Sequence, residues 1–364
     1  MPKNAIVFNK KKGEAVSIIT IKYKGRELKP YKAIVSPLIG VPTVLTQSSW
    51  DFVSLWLKKE GHKNALLYWH QSEEFNKASQ GMPIQSSPLL HYYSYMNAVK
   101  ALLTAKNISF DQMHGVKAHN MRGSSNKISI VNEGINILNK GILPALSTYL
   151  GEKETNRNHN LQELLFNLPY IHRTYCISYP KQTEMFIPLV DCCFVADTIN
   201  KYAYFSAKLS KDFCSYHVLN RLPSGLIKDE TSDEKYKIKS IIKVPFLNPK
   251  RPSKEDLNQI KILQKEIRQD IHYINGSQTL WYAKSVVAGP KNLQRFPITI
   301  TLAAMHRLSE ICRYRPLELA SFLNGQKNWL LSEFIQESPL QFIDAISSEI
   351  TGYQFLVPNV RSAQ

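Results

Sequence analysis

Residues 87–103 read Ser87-Pro88-Leu89-Leu90-His91-Tyr92-Tyr93-Ser94-Tyr95-Met96-Asn97-Ala98-Val99-Lys100-Ala101-Leu102-Leu103. Ser87 suits an N-cap, and Pro88 suits the first helical turn, where its missing N–H leaves no bond unmade. Leu89, Tyr93, Met96, Lys100 and Leu103 follow helical spacing on one face, with Leu90, Asn97 and Ala101 on the strip beside it. A helix this apolar around its circumference belongs inside a larger helical core. Asn97 and Lys100 then lie where unpaired polar groups are penalised.

Outward from this helix the pattern stays largely helical. Ser49 to Glu60 carries Trp50, Val53 and Leu57 on one side, with Gly61 following as a C-terminal stop. Ala65 to Ala78 continues as a second helix, and Gly81-Met82-Pro83 separates it from the central one. Ile135 to Leu150 and Asn160 to Leu168 read as further helices. Leu257, Ile260, Leu263, Ile267, Ile271 and Ile274 form the apolar face of another, opened by Ser253 and Asp256 in a capping-box arrangement. Ile298–Tyr314, 327–336 and 339–351 complete the helical set.

Two stretches read differently. Ala15 to Tyr23 is β-prone, and so is the apolar run from Phe186 to Val195, with Tyr236 to Val244 after it. The expected fold is therefore α+β, mainly α, a helical core with an inserted β-rich module. The expected segments are a basic β-prone N-terminus (1–45), helical core (46–170), β-rich insertion (171–247) and the second part of the helical core (248–364).

The formal charge of the 364 residues is +17 and the pI about 9.5. Such a field attracts nucleic acid or an acidic protein partner, and it also keeps a protein soluble. Up to Lys32, nine lysines and arginines stand against Glu14 and Glu27. Lys10, Lys11 and Lys12 are candidate phosphate contacts; a solvated hairpin whose lysines block edge pairing is the structural alternative. No run of about 18 apolar residues suggests a membrane span, and the N-terminus lacks a signal core, so a cytoplasmic location is expected. The five cysteines show no metal-binding spacing and read as free thiols; no metal and no cofactor is expected.

Two polar constellations stand out. Residues 111–125 combine His114, Gly115, Lys117, Arg122 and Gly123 in what reads as a loop, where backbone N–H groups and cations can hold phosphate. It is not a P-loop. Thr301 to Arg315 contains His306, Glu310, Arg313 and Arg315, with His306 and Glu310 at i,i+4 and Glu310 and Arg313 at i,i+3. A carboxylate-positioned histidine beside a guanidinium suits phosphodiester chemistry, and an ion-pair cluster bracing the helix is the alternative. His114, His306, Glu310 and Arg313 are the candidate catalytic set; Lys100, Lys117, Arg122 and Arg315 join the three N-terminal lysines as candidate phosphate binders. If the central helix packs beside the His306 helix, Lys100, His114 and Arg313 share one pocket, with Glu310 bonded to Arg313.

These residues carry a resemblance. Pro88-Leu89-Leu90-x-Tyr92-Tyr93-Ser94-x-x-Asn97-x-x-Lys100-Ala101, His114-Gly115, Gly141-Ile142-Leu143-Pro144, Leu161-Gln162-Glu163-Leu164-Leu165 and Leu308-Ser309-Glu310-x-x-Arg313-Tyr314-Arg315-Pro316 resemble the YaaC-like family of bacterial proteins over most of residues 45–345. The resemblance implies a bacterial cytosolic protein, largely helical. The Tyr-Tyr…Asn…Lys-Ala helix is also similar to those of the HEPN helical nucleases. Their Arg-x4–6-His motif is missing: Arg268 and His272 are only three residues apart in between, and His306 precedes Arg313. Three functional readings follow. The first is a protein that engages nucleic acid, in a phage-defence or mobile-element setting suggested by the resemblance. The second is a HEPN-like ribonuclease or other phosphodiester enzyme. The third is a helical scaffold, one component of a multi-protein system, that meets an acidic protein.

Overall fold

The computed structural model describes residues 18–121, 129–287, 292–325 and 328–358. The candidate residues Lys10, Lys11, Lys12 and Arg122 lie outside them. The chain divides into two compact units. One draws on Met1–Pro42, Phe186–Tyr273 and Leu280–Val286; the other on Thr43–Met185, Ile274–Thr279 and Val287–Gln364.

The first unit is built on an antiparallel sheet curled into a half-barrel. Its strands run in the order Leu226–Lys228, Lys237–Ser240, Tyr202–Leu209, Phe186–Asp197, Leu280–Lys284 and Ile271–Ile274. Ile18–Thr20 pairs with the far end of Phe186–Asp197, and Val244–Pro245 with Tyr202–Leu209. A shift in register between Val190 and Cys193, with Asp191 at positive φ, bends the long strand. Phe194, Phe205 and Phe246 are buried in one core with Ile260, Leu263 and Ile267 of the helix Lys254–Ile267. That helix begins with the expected capping box, Ser253 Oγ accepting from the Asp256 N–H while the Asp256 carboxylate accepts from the Ser253 N–H. Gln264 then fastens the N-terminal segment, accepting from the Tyr31 N–H and donating to the Tyr31 carbonyl.

The second unit is helical around the central helix, now Ser87–Ala105. Helices Lys63–Ser79, Pro297–Tyr314 and Asn328–Thr351 pack against it. Small residues let two helices approach: Ser72 Oγ donates to the Ser94 carbonyl and Ser94 Oγ to the Ser72 carbonyl, at 2.6 and 2.9 Å. Tyr95 stacks on Phe342 with ring centroids 4.2 Å apart, and its hydroxyl bonds Ser338. Met96 is buried in the same helix. Met96→Asp should therefore lower the stability of this unit by about 3 kcal/mol or more, because a carboxylate replaces an apolar side chain in a buried site; a chemical-denaturation midpoint equal to that of the unsubstituted protein would put the side chain on the surface instead.

The expectation of a mainly α protein on one helical core is corrected. Helix accounts for 44% and strand for 19%, and the half-barrel has its own core, so the fold is α+β without helical dominance. Three misreadings produced that expectation. Ile271 and Ile274 continue the helical spacing of residues 257–267, yet they belong to the strand Ile271–Ile274. The run from Ile135 to Leu150 is a strand, Glu133–Ile137, and then a helix, Ile142–Leu150. The supposed loop at 111–125 contains the strand Val116–Asn120, which pairs with Glu133–Ile137. At the C-terminal end, Pro339 interrupts nothing: Asn328–Thr351 is one helix.

Candidate functional site

The segment carrying His114 is fixed by two glycines. The carbonyls of Met113 and His114 accept from the Ile142 and Leu143 N–H groups at 2.9 and 3.2 Å, satisfying the otherwise unpartnered start of the helix Ile142–Leu150. This requires the backbones at Gly115 and Gly141 to touch. Gly141 has φ +122° and ψ −174°, and a Cβ there would come within 2.4 Å of the Gly115 Cα. A Cβ on Gly115, at φ +74°, would come within 2.3 Å of the Pro144 ring.

His114 is thereby held over the central helix. The Tyr92 hydroxyl lies 2.5 Å from His114 Nδ1. The His306 ring meets Tyr92 edge-on, centroids 5.0 Å apart, and its centroid is 5.8 Å from that of His114. Burial, followed by the positive charges of Arg313 and Lys100, lowers the His114 pKa. Burial, then His114, Arg313 and Arg307, brings His306 down to about 3. Both imidazoles are therefore neutral at pH 7. Burial holds the Tyr92 phenol far above its ordinary pKa, so it keeps its proton. The neutral ring can accept that proton at Nδ1. In that arrangement His114 carries its own proton on Nε2.

The neighbouring cations divide into two sets. Arg307 and Arg315 converge on Glu133, a fully buried carboxylate of the strand Glu133–Ile137; Arg307 Nη2 is 2.6 Å from it, and Arg315 also pairs with Glu318 at 2.9 Å. Arg307 takes Glu310 as well, at 3.2 Å. The expected bond between Glu310 and Arg313 is not made. Glu310 lies 3.6 Å from His306 Nδ1, a contact with a neutral ring and longer than a hydrogen bond. Arg313 is exposed, its guanidinium over the Tyr314 ring at 5.0 Å, and Lys100 rests over Tyr68 at 5.4 Å. Neither has a carboxylate partner among the described residues. Burial lowers the Lys100 pKa. Tyr68 also lines an open groove of about 550 Å³ with Asn64, Leu67, Thr104 and Gln112.

His114 and His306 are ring neighbours and Glu310 lies beside His306, while Lys100 and Arg313 are near enough to bear on the His114 charge. Arg315 is placed in the ion pairs with Glu133 and Glu318, and Lys117 is exposed on the strand Val116–Asn120. Sequence reasoning passed over Tyr92 and Glu133. Tyr92 stood inside the quoted motif; nothing in the sequence marked Glu133 for burial. Among the described residues no group of three His, Cys, Asp or Glu side chains has the arrangement of a metal site, and no helix is long and apolar enough to cross a membrane. All five cysteines are free.

Fold and site together define an α+β protein with a tyrosine-anchored histidine beside two cations without carboxylate partners. The model of the YaaC-like protein family matches residues 43–350, and the chain belongs to that family. No curated protein and no solved structure matches it.

Proposed function

We propose that the protein engages nucleic acid, and that Lys100, His114 and Arg313 hold one of its phosphates. The observation that carries this reading is that the charges of Arg313 and Lys100, two cations without carboxylate partners among the described residues, both bear on His114, whose Nε2 is a donor when Nδ1 accepts from Tyr92. Like charges brought together near a half-buried lysine repel, and an anion relieves the repulsion. The Arg313 fork and the Nε2–H can both donate to phosphate oxygens. The groove along Tyr68 offers a ring on which a base can stack. The charge of +17 favours a polyanion over an isolated phosphate. The tautomer weighs toward binding rather than cleavage, because a histidine with its proton on the outward nitrogen is no base there, and His306 is buried.

Binding of a fluorescent single-stranded RNA or DNA, followed by anisotropy against salt concentration, tests the proposal. Affinity should fall steeply with salt. Lys100→Met should weaken binding about tenfold and reduce the slope of log K against log salt by about 1, while preserving the melting temperature. Arg313→Lys should weaken it too, since a single ammonium cannot reproduce the fork. Unchanged binding in both variants would remove this site from the reading, and undetectable binding at low salt would remove nucleic acid.

A further inference from the structure

The positive charge is unevenly divided between the two units. Among the described residues the helical unit sets sixteen lysines and arginines against sixteen aspartates and glutamates, while the half-barrel unit sets twenty-one against twelve. The field that draws a polyanion therefore arises in the half-barrel. Three of its lysines are offset by neighbouring carboxylates: Lys208 by Asp191 and Glu234, Lys228 by Glu230, and Lys239 by Asp229. Lys201, Lys243, Lys250, Arg251 and Lys254 are exposed and have no carboxylate partner among the described residues.

Two turns bring these five to one end of the sheet. Lys201 closes the turn between the strands Phe186–Asp197 and Tyr202–Leu209, and its carbonyl accepts from the Phe246 N–H at 2.9 Å. Val244–Pro245 pairs with Ala203 and Tyr202, which sets Lys243 beside that turn, its ammonium 4.1 Å from the Tyr202 ring centroid. A cation held over a ring keeps its charge. The linker that follows is tied down by Asp256, whose carboxylate accepts from the Leu247 and Ser253 N–H groups, so Lys250, Arg251 and Lys254 stay next to Val244–Pro245. The carboxylates of Asp197 and Asp256 are buried and engaged by backbone N–H groups, Asp197 by those of Ile199 and Asn200; Glu255 is the exposed one. Lys254 is also the first residue of the helix Lys254–Ile267, where the partial positive charge of the helix start disfavours a cation. Local stability does not account for cations gathered here, and a bound anion would relieve them.

We propose that this end of the half-barrel is a second nucleic-acid contact, in which Lys201, Lys243, Lys250, Arg251 and Lys254 meet backbone phosphates and supply the larger part of the salt-dependent affinity. The choice of polyanion rests on the nucleic-acid reading above; the surface itself shares no residue with the site around His114.

Anisotropy of a fluorescent single-stranded oligonucleotide with the full-length protein, measured across a salt series, tests it. The triple variant Lys201→Gln, Lys243→Gln, Arg251→Gln should reduce the slope of log K against log salt by about 2 and weaken binding about a hundredfold at 0.1 M salt, with the melting temperature unchanged. The control removes the same net charge from lysines that have carboxylate partners: Lys77→Gln, Lys208→Gln and Lys228→Gln together should change the slope by less than about 1. Poly-L-glutamate at the same concentration of charge should not displace the oligonucleotide. The proposal fails if the two triple variants weaken binding equally, or if poly-L-glutamate competes on equal terms, which would make the surface one for acidic proteins. A slope unmoved by the first triple variant while Lys100→Met still weakens binding removes this surface alone. Undetectable binding by the unsubstituted protein removes the nucleic-acid reading and this contact with it.

Discussion

Replacing Gly141 by alanine should destabilise the second unit by about 3 kcal/mol or more and displace His114 with it. A residue at φ +122°, ψ −174° occupies a region essentially closed to side chains, which by itself costs about 1–3 kcal/mol. The new Cβ would also have to lie within 2.4 Å of the Gly115 Cα, so the two backbones must part. When they do, the Ile142 and Leu143 N–H groups lose the carbonyls of Met113 and His114, and the segment that carries the imidazole comes loose. Gly81→Ala is the control: Gly81 also has positive φ, but nothing lies within 4 Å of the added atom, so about 1 kcal/mol is expected. Urea midpoints of the two variants give the comparison. Equal midpoints would mean that the contact between Gly115 and Gly141 holds nothing in place.

Acidification should be the second large effect. His91 and His172 are brought down to about 4 by burial, His306 to about 3, and His272 is shifted in the same direction by burial and then by Lys284 and Arg268. Geometry agrees for His172, whose Nε2 accepts from the Met185 N–H at 2.8 Å and must be unprotonated to do so. In the unfolded chain each titrates near 6.5. Below that value the unfolded state binds protons that the folded state refuses, so stability falls as pH falls, and keeps falling until the folded pKa is reached. Between pH 7.5 and 5.5 each histidine should remove about 1.4 kcal/mol, about 4 kcal/mol for the three in the second unit. That is a large share of a typical domain's 5–15 kcal/mol. Chemical denaturation at pH 7.5, 6.5 and 5.5 measures it. A midpoint independent of pH over this range would contradict neutral burial of these rings.

Much of this molecule was legible in the order of its residues. The central helix, the capping box at Ser253 and Asp256, and the helix of His306 all declared themselves through local rules that tertiary structure did not override. The half-barrel was harder, because short apolar runs such as Ile271–Ile274 fit either period, and only pairing with a distant strand decides between them. The strand Val116–Asn120 buries only Val116, so it has no alternation to find. The site was half visible. Lys100, His114 and Arg313 were singled out by type and spacing, and the packing of the central helix against Pro297–Tyr314 puts Lys100 and Arg313 on neighbouring helices. The assignment of Glu310 went to the wrong arginine because i,i+3 spacing serves Arg307 and Arg313 equally; buried Glu133, which sequence proximity could not reveal, aligns Arg307 and leaves Arg313 outside.

The measurement that bears most directly on the phosphate site is the ¹⁵N–¹H correlation of the His114 ring at pH 7, with and without a short single-stranded oligonucleotide. Tyr92 donating to Nδ1 predicts a neutral ring protonated on Nε2, and the oligonucleotide should shift that Nε2–H while leaving buried His306 neutral. A ring protonated on Nδ1, or an Nε2–H signal that ignores the oligonucleotide while the protein binds it, would contradict the assignment.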